Sequence, residues 1–378
     1  DLHRRIALAI VEAAGPRPDR LVAGVLAAAA LISMWVSNTA TAAMMLPIAL
    51  ALIGLAHEHG DGGDWAPRFE AALLLALAFG ANIGGVATLV GTPPNAVLAG
   101  FMADHHGLSI GFGEWMLVGV PVAAVMLLLA WWLLARRVFA VGSAPLPGAA
   151  AFVARERAAL GPLTSGQRRT AAVVALAALA WLTRPLVDAA WPALRLTDAG
   201  IGITAALLLF VVPAGGRRGP ALLDWRATRE LSWGVLILVG GGLSLGAAIQ
   251  GSGLADAVAA QLGALAAWPL WAVLAAVALV TIVLSHVTSN TATTATLVPL
   301  AVSLAAAAGQ PAASMAAAVA LAASAAFMLP VATPPNAIVF ASEQLRVIDM
   351  IRGGAGLVLG GWVVATLAAW LLVPVMFG

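Results

Sequence analysis

Apolar residues run through this chain in stretches of about 20, the length a helix needs to cross the hydrocarbon core of a bilayer. Such runs predict spanning helices over 115–138, 170–190, 198–214, 231–250 and 352–377. Two further runs, 70–100 and 312–342, contain Thr-Pro-Pro-Asn and predict helices interrupted along their length. Two others, 21–56 and 268–308, are too long for one helix and carry polar breaks, WVSNTAT and SHVTSNTATT. Only about 17 residues flank each break, so each run reads as a re-entrant hairpin, two short helices meeting at a polar tip. Irregular backbone at membrane depth is tolerated only where it is buried in protein or lines a wet cavity. The pattern predicts an all-α polytopic membrane protein.

The polar breaks repeat. Ser37–Asn38–Thr39–Ala40–Thr41 recurs as Ser289–Asn290–Thr291–Ala292–Thr293, and Thr92–Pro93–Pro94–Asn95–Ala96 recurs as Thr333–Pro334–Pro335–Asn336–Ala337. The order is the same both times, with 57 residues from Asn38 to Asn95 and 46 from Asn290 to Asn336. A proline follows each Ser-Asn-Thr, Pro47 and Pro299. An odd number of full spans separates the hairpins, so the halves are inverted relative to each other, the arrangement whose interrupted helices mark a transporter's binding site. The first repeat is 1–138 and the second 169–378. Between them, 139–168 reads as a cytoplasmic linker with an interfacial helix. The second Ser-Asn-Thr has about 120 residues of its repeat ahead of it and the first only 36. By that comparison the first repeat is expected to be N-terminally incomplete, short of roughly three or more spans.

Charge fixes an orientation. Charged residues are 10% of the chain, against about 25% in soluble domains. The basic ones are all arginine. Placing Arg4 and Arg5 in the cytoplasm, and crossing at each full span but not at the hairpins, leaves every arginine inside except Arg184 and Arg195. The positive-inside rule asks for that bias. It places the C-terminus outside, in a multi-pass protein of a bacterial inner membrane. A net charge of +2 gives no footprint for nucleic acid, and with no Cys there is neither disulfide nor thiolate metal site.

Chemistry then concentrates at the four breaks. Asn38 and Asn290 offer amide groups of both polarities, and Ser37, Thr39, Ser289 and Thr291 offer hydroxyls. A helix beginning at a hairpin tip presents free N–H groups and a positive dipole end to an anion. The Pro-Pro pairs strand the carbonyls before them, which can coordinate a hard cation, and Gly91 lets backbone approach closely. No Asp or Glu falls deep inside a predicted span, so the carboxylate relay of a proton pump is absent from the sequence given. An anion here would be neutralised by helix dipoles and co-bound cations, which favours two or more Na+ ions. His286 is the one ionisable residue within a hairpin, and reads more simply as a neutral, backbone-bonded ring than as a pH switch. Isolated hydroxyls such as Thr281 read as back-bonded to their own helix. Gly240–Gly241–Gly242 reads as close helix packing. His57, His59, His105 and His106 read as solvated loop residues. A hydrolytic enzyme is the least favoured reading, because no nucleophile, base and acid can be assembled.

SNTATAAMMLPIA, ANIGGVATLVGTPPNAVLAG, SNTATTATLVPLA and LPVATPPNAIVFAS resemble the divalent anion/sodium symporter family over essentially the whole chain. The resemblance implies a scaffold domain that forms a homodimer and a transport domain that carries both hairpins and moves as an elevator. It implies one sodium site at Ser33, Ser37, Asn38 and Gly91, and a second at Ser285, Thr288, Asn290 and Ala332. Ser285 stands where relatives often have Thr. The substrate would meet Asn38, Thr39, Asn290 and Thr291, with Thr92–Pro93 and Thr333–Pro334 closing the site. The doubled Thr-Pro-Pro-Asn resembles bacterial members that carry the C4-dicarboxylates succinate, malate and fumarate by symport. Sulfate or citrate as substrate, dicarboxylate exchange, a channel with facing hairpins, or a non-transporting assembly protein are the alternatives.

Overall fold

A computed structural model describes residues 2–59, 65–194, 196–216, 219–231, 233–261 and 267–377. Arg195, Arg217 and Arg218 lie outside them, and nothing is said of the Asp256 side chain. The chain begins with α1 (Leu2–Ala14), α2 (Pro18–Ser33), α3 (Asn38–His59), α4 (Trp65–Val86), α5 (Pro93–His106) and α6 (Phe112–Trp131), which runs on as π-helix through Trp132–Val138. The linker holds α7 (Ala149–Ala159). After it come α8 (Ser165–Ala190), α9 (Asp198–Val211), α10 (Trp233–Gly251), α11 (Leu254–Gln261), α12 (Leu270–Ser285), α13 (Asn290–Ala308), α14 (Ala312–Ala323), α15 (Pro334–Phe340) and α16 (Val347–Leu367), extended by a π-turn and α17 (Val373–Phe377). Seven of these helical segments are long and apolar enough to cross a membrane.

The breaks fall at the polar motifs for local reasons. Proline opens α5 and α15, where a missing N–H is harmless. Gly107 and Gly309, both at positive φ, close α5 and α13. Pro47 and Pro299 sit inside α3 and α13, which run through them. The arms are unequal. Those before the tips, α2 and α12, have 16 residues each, whereas α3 has 22 and α13 has 19. His57 and His59 end α3 and His105 and His106 end α5, so these histidines stand on helices rather than in the expected loops. His57 pairs with Glu70 at 2.7 Å, and among the described residues no three His, Asp or Glu gather as metal ligands.

Two heavily buried helices, α4 and α14, carry the packing. α2 and α3 pack on α4, and α12 and α13 pack on α14. The halves interlock, with α5 against α13 and α14, and α15 against α3 and α4. The apolar window of α4 is 94% buried, while those of α8 and α10 are 11% buried, so α4 lies in the core and α8–α10 on its outside. Small residues allow this. A Cβ on Gly80 would come 2.5 Å from the Leu26 carbonyl oxygen, and one on Gly84 would overlap the Ala30 backbone, so α4 and α2 touch through a Gly-xxx-Gly face. Gly242 likewise lies against Ala295 of α13, as its packing reading anticipated, whereas Gly240 and Gly241 meet nothing.

Ion pairs of Arg4, Arg136 and Arg157 tie helices together. Arg4 pairs with Glu156 at 2.5 Å, Arg157 with Glu12, and Arg136 with the buried Asp19 at 2.7 Å, which joins α7 to α1 and α6 to α2. Arg184 pairs with Asp198 at 2.7 Å in a separate cluster with Asp188. Asp19→Ala is expected to lower stability by about 1–2 kcal/mol, because Arg136 is half exposed and regains water when its partner is lost. Thermal unfolding of the detergent-solubilised protein measures it.

Candidate functional site

The two hairpin tips are built alike. α2 stops at the fully buried Ser33, the chain turns through Met34–Ser37, and α3 starts at Asn38. Ser33 Oγ lies 2.6 Å from the Asn38 amide, and Ser285 Oγ lies 2.7 Å from the Asn290 amide. The same five-residue spacing thus gives the same contact twice. Each tip is tied to the broken helix beside it. The Thr88 hydroxyl donates to Met34 O at 2.6 Å, and Ser285 Oγ bonds Ala323 O at 2.6 Å. Ser37 caps α3 by accepting from the Ala40 N–H, whereas the Ser289 hydroxyl makes no such cap. His286 bonds Ile282 O through Nδ1 and accepts from the Met328 N–H through Nε2, so the ring is a buried tie between tip and break, as the simpler reading expected. Thr281 bonds back to Val277 O.

The Pro-Pro breaks are held by the asparagines that follow them. Asn95 Nδ2 faces three stranded carbonyls, Thr88 O at 2.8 Å, Val86 O at 3.1 Å and Gly85 O at 3.4 Å. Asn336 Nδ2 faces Leu329 O at 3.0 Å and Phe327 O at 3.5 Å. Both asparagines are fully buried and staple the broken backbone. The motif drew attention to them, but only the fold shows what they do.

A cavity of about 1060 Å³ opens between the four breaks. All of the expected site residues line it except Ser33 and Ser285, which lie buried behind Asn38 and Asn290. Leu231 and, from α10, Val235, Leu236, Leu238 and Val239 contribute apolar wall. Among the described residues no ionisable side chain lines the cavity. In place of fixed charge, α3, α5 and α13 begin at the cavity, and so does the short α15, so N-terminal dipole ends converge there.

The Asn38 amide decides what else the site can hold. One of its ends faces Ser33 Oγ at 2.6 Å, Gly91 O at 3.1 Å and Ala81 O at 3.2 Å. An amide nitrogen there donates to these oxygens. After a half-turn, the amide oxygen completes a set of four oxygens, the ligand type a hard cation takes. Gly85 and Gly91 make room, since a Cβ on Gly85 would come 2.5 Å from the amide oxygen and one on Gly91 would come 2.5 Å from Gly85 O. In the second half Ala332 lines the cavity as Gly91 does, and the Thr288 hydroxyl is bonded to Leu284 O at 2.9 Å and Thr293 Oγ1 at 2.6 Å. Sequence reasoning also missed Asn82. It lies in α4, 2% exposed, lines the cavity, and reaches Thr333 and Asn336 of the other half.

Residues 1–377 match the family pattern of the sodium:sulfate symporter transmembrane region. The chain belongs to that family. It is therefore a transporter and not an enzyme, and with its apolar helices it is a multi-pass membrane protein. Among curated relatives, the sodium-dependent dicarboxylate transporter SdcS of Staphylococcus aureus strain USA300 is 35% identical over 383 residues, which cover 100% of this chain and 74% of that protein. SdcS proteins of the bovine strain RF122 / ET3-1 and of strain MSSA476 match with the same figures.

Proposed function

We propose that this symporter-family chain couples sodium entry to the uptake of C4-dicarboxylates such as succinate, malate and fumarate. The observation that carries the reading is a cavity with no charged side chain among its described lining residues, at which helix N-termini converge beside the oxygen cluster around Asn38. Asn38 and Thr39 would meet one carboxylate and Asn290 and Thr291 the other, with Thr92–Pro93 and Thr333–Pro334 closing the site. Two separated tips suit a short molecule with a carboxylate at each end better than a single tetrahedral anion. Sodium would be held by Ser33, Ser37, Asn38 and Gly91, and by Ser285, Thr288, Asn290 and Ala332, at least two ions in all. Bound sodium would supply the positive charge that the side chains lack. The relatives described as sodium-dependent dicarboxylate transporters support the choice of substrate and ion.

In this reading both hairpins are re-entrant. A 16-residue helix rises about 24 Å at 1.5 Å per residue, short of the ~30 Å hydrocarbon core, and α2 and α12 have that length. The arginine-rich end faces the cytoplasm and the C-terminus the outside of a bacterial inner membrane. The body built on α4 and α14 would carry the site as an elevator past α8–α10, within a homodimer.

Uptake of labelled succinate into proteoliposomes tests the proposal. An inward sodium gradient is expected to drive saturable accumulation, and an equal choline gradient is not. Malate and fumarate are expected to compete better than citrate or sulfate. Undiminished accumulation in choline would overturn the sodium coupling. Uptake that requires a counter-substrate inside the vesicle would favour exchange.

A further inference from the structure

We infer that Asn82 is a positioning residue that turns the Thr333 hydroxyl into an obligate hydrogen-bond donor for the bound anion; this rests on the anion-binding reading of the cavity. The buried contacts fix each step. Leu329 O and Phe327 O can only accept, so Asn336 turns its Nδ2 toward them and its Oδ1 away. That oxygen faces Asn82 at 3.2 Å, so Asn82 must present its own Nδ2. The second hydrogen of that nitrogen reaches Thr333 Oγ1 at 2.9 Å. Thr333 Oγ1 also accepts from the Asn336 N–H at 3.3 Å, as the cap of α15. A hydroxyl has two lone pairs and one hydrogen. With both pairs engaged by N–H groups, the hydrogen is left to donate, and Thr333 lines the cavity.

The arrangement occurs once. The repeat alignment sets Ala323 opposite Asn82. Thr92, the counterpart of Thr333, makes no side-chain cap bond to α5. The two ends of the cavity therefore differ, one hydroxyl locked as a donor and the other free to rotate. Asn82 also links the repeats directly, since it stands on α4 of the first and holds the break of the second.

A double-mutant cycle in proteoliposomes tests the inference, with labelled succinate as the probe and labelled sulfate as a second. Asn82→Ala and Thr333→Val are each expected to raise KM about tenfold with kcat per folded transporter within about twofold. The double variant is expected to be no worse than the worse single one, because both changes remove the same donor. Asn82→Ala combined with Thr92→Val is expected to multiply. Asn82→Asp keeps the shape of the side chain but accepts the Thr333 hydrogen, so its KM is expected to exceed that of Asn82→Ala. It also serves where the alanine variant does not fold. Multiplicative effects of Asn82→Ala and Thr333→Val, or a wild-type KM in Asn82→Asp, would overturn the role of Asn82 while leaving the transport reading intact. No saturable uptake of either anion by the wild-type protein would overturn the transport reading and this inference with it.

Discussion

Asn38→Asp is expected to raise the KM for succinate more than 100-fold while the protein still folds. Two effects of opposite sign meet at this residue. A negative charge at the N-terminus of α3 is favoured by the helix dipole, by about 0.3–1 kcal/mol. The same charge repels a dianion in the cavity that Asn38 lines, and at an effective dielectric of about 20 a unit pair 4 Å apart interacts by roughly 4 kcal/mol. Repulsion exceeds the dipole gain several-fold, so binding suffers and folding does not. The carboxylate also loses the amide N–H groups. Uptake kinetics of the variant at saturating sodium measure the effect. An unchanged KM would remove Asn38 from the substrate site.

Gly84→Val is expected to be the most damaging change outside the cavity, lowering stability by at least about 3 kcal/mol and leaving little folded protein. The side chain would have to occupy space held by the Ala30 backbone, and backbone on a packed helix pair cannot swing aside as a side chain can. Gly84 stands at the close approach of α4 to α2, against Ala30, three residues before α2 ends at Ser33. Gly54→Ala is the control, since a Cβ there meets nothing within 4 Å, and a neutral or slightly stabilising effect is expected. Thermal unfolding of the two variants separates local overpacking from the general effect of replacing a helical glycine. Equal unfolding temperatures would refute the close contact.

The positions of the breaks were legible in the sequence because proline and a polar run inside an apolar stretch leave few alternatives. In the structure α3, α5, α13 and α15 each begin at one of these motifs. Membership of the cavity was legible because both motifs occur twice, which separates Asn38 and Asn290 from incidental polar residues. Other features left no such trace. Asn82 stands in an apolar helix without a repeat partner, and its meaning depends on two residues more than 250 positions away. The stapling by Asn95 and Asn336 depends on how the broken backbone folds back, which spacing does not encode. The extra length of α3, which runs to His59, carries His57 onto a helix.

The central claim is that anion and sodium share one cavity and stabilise each other there. Equilibrium binding of labelled succinate to the purified protein, measured across a range of sodium concentrations at constant ionic strength, tests it most directly, because coupling between two ligands is reciprocal. The apparent Kd for succinate is expected to fall steeply as sodium rises, by more than tenfold per tenfold sodium if two ions bind together with the anion. A Kd that is the same in sodium and in choline would contradict the account.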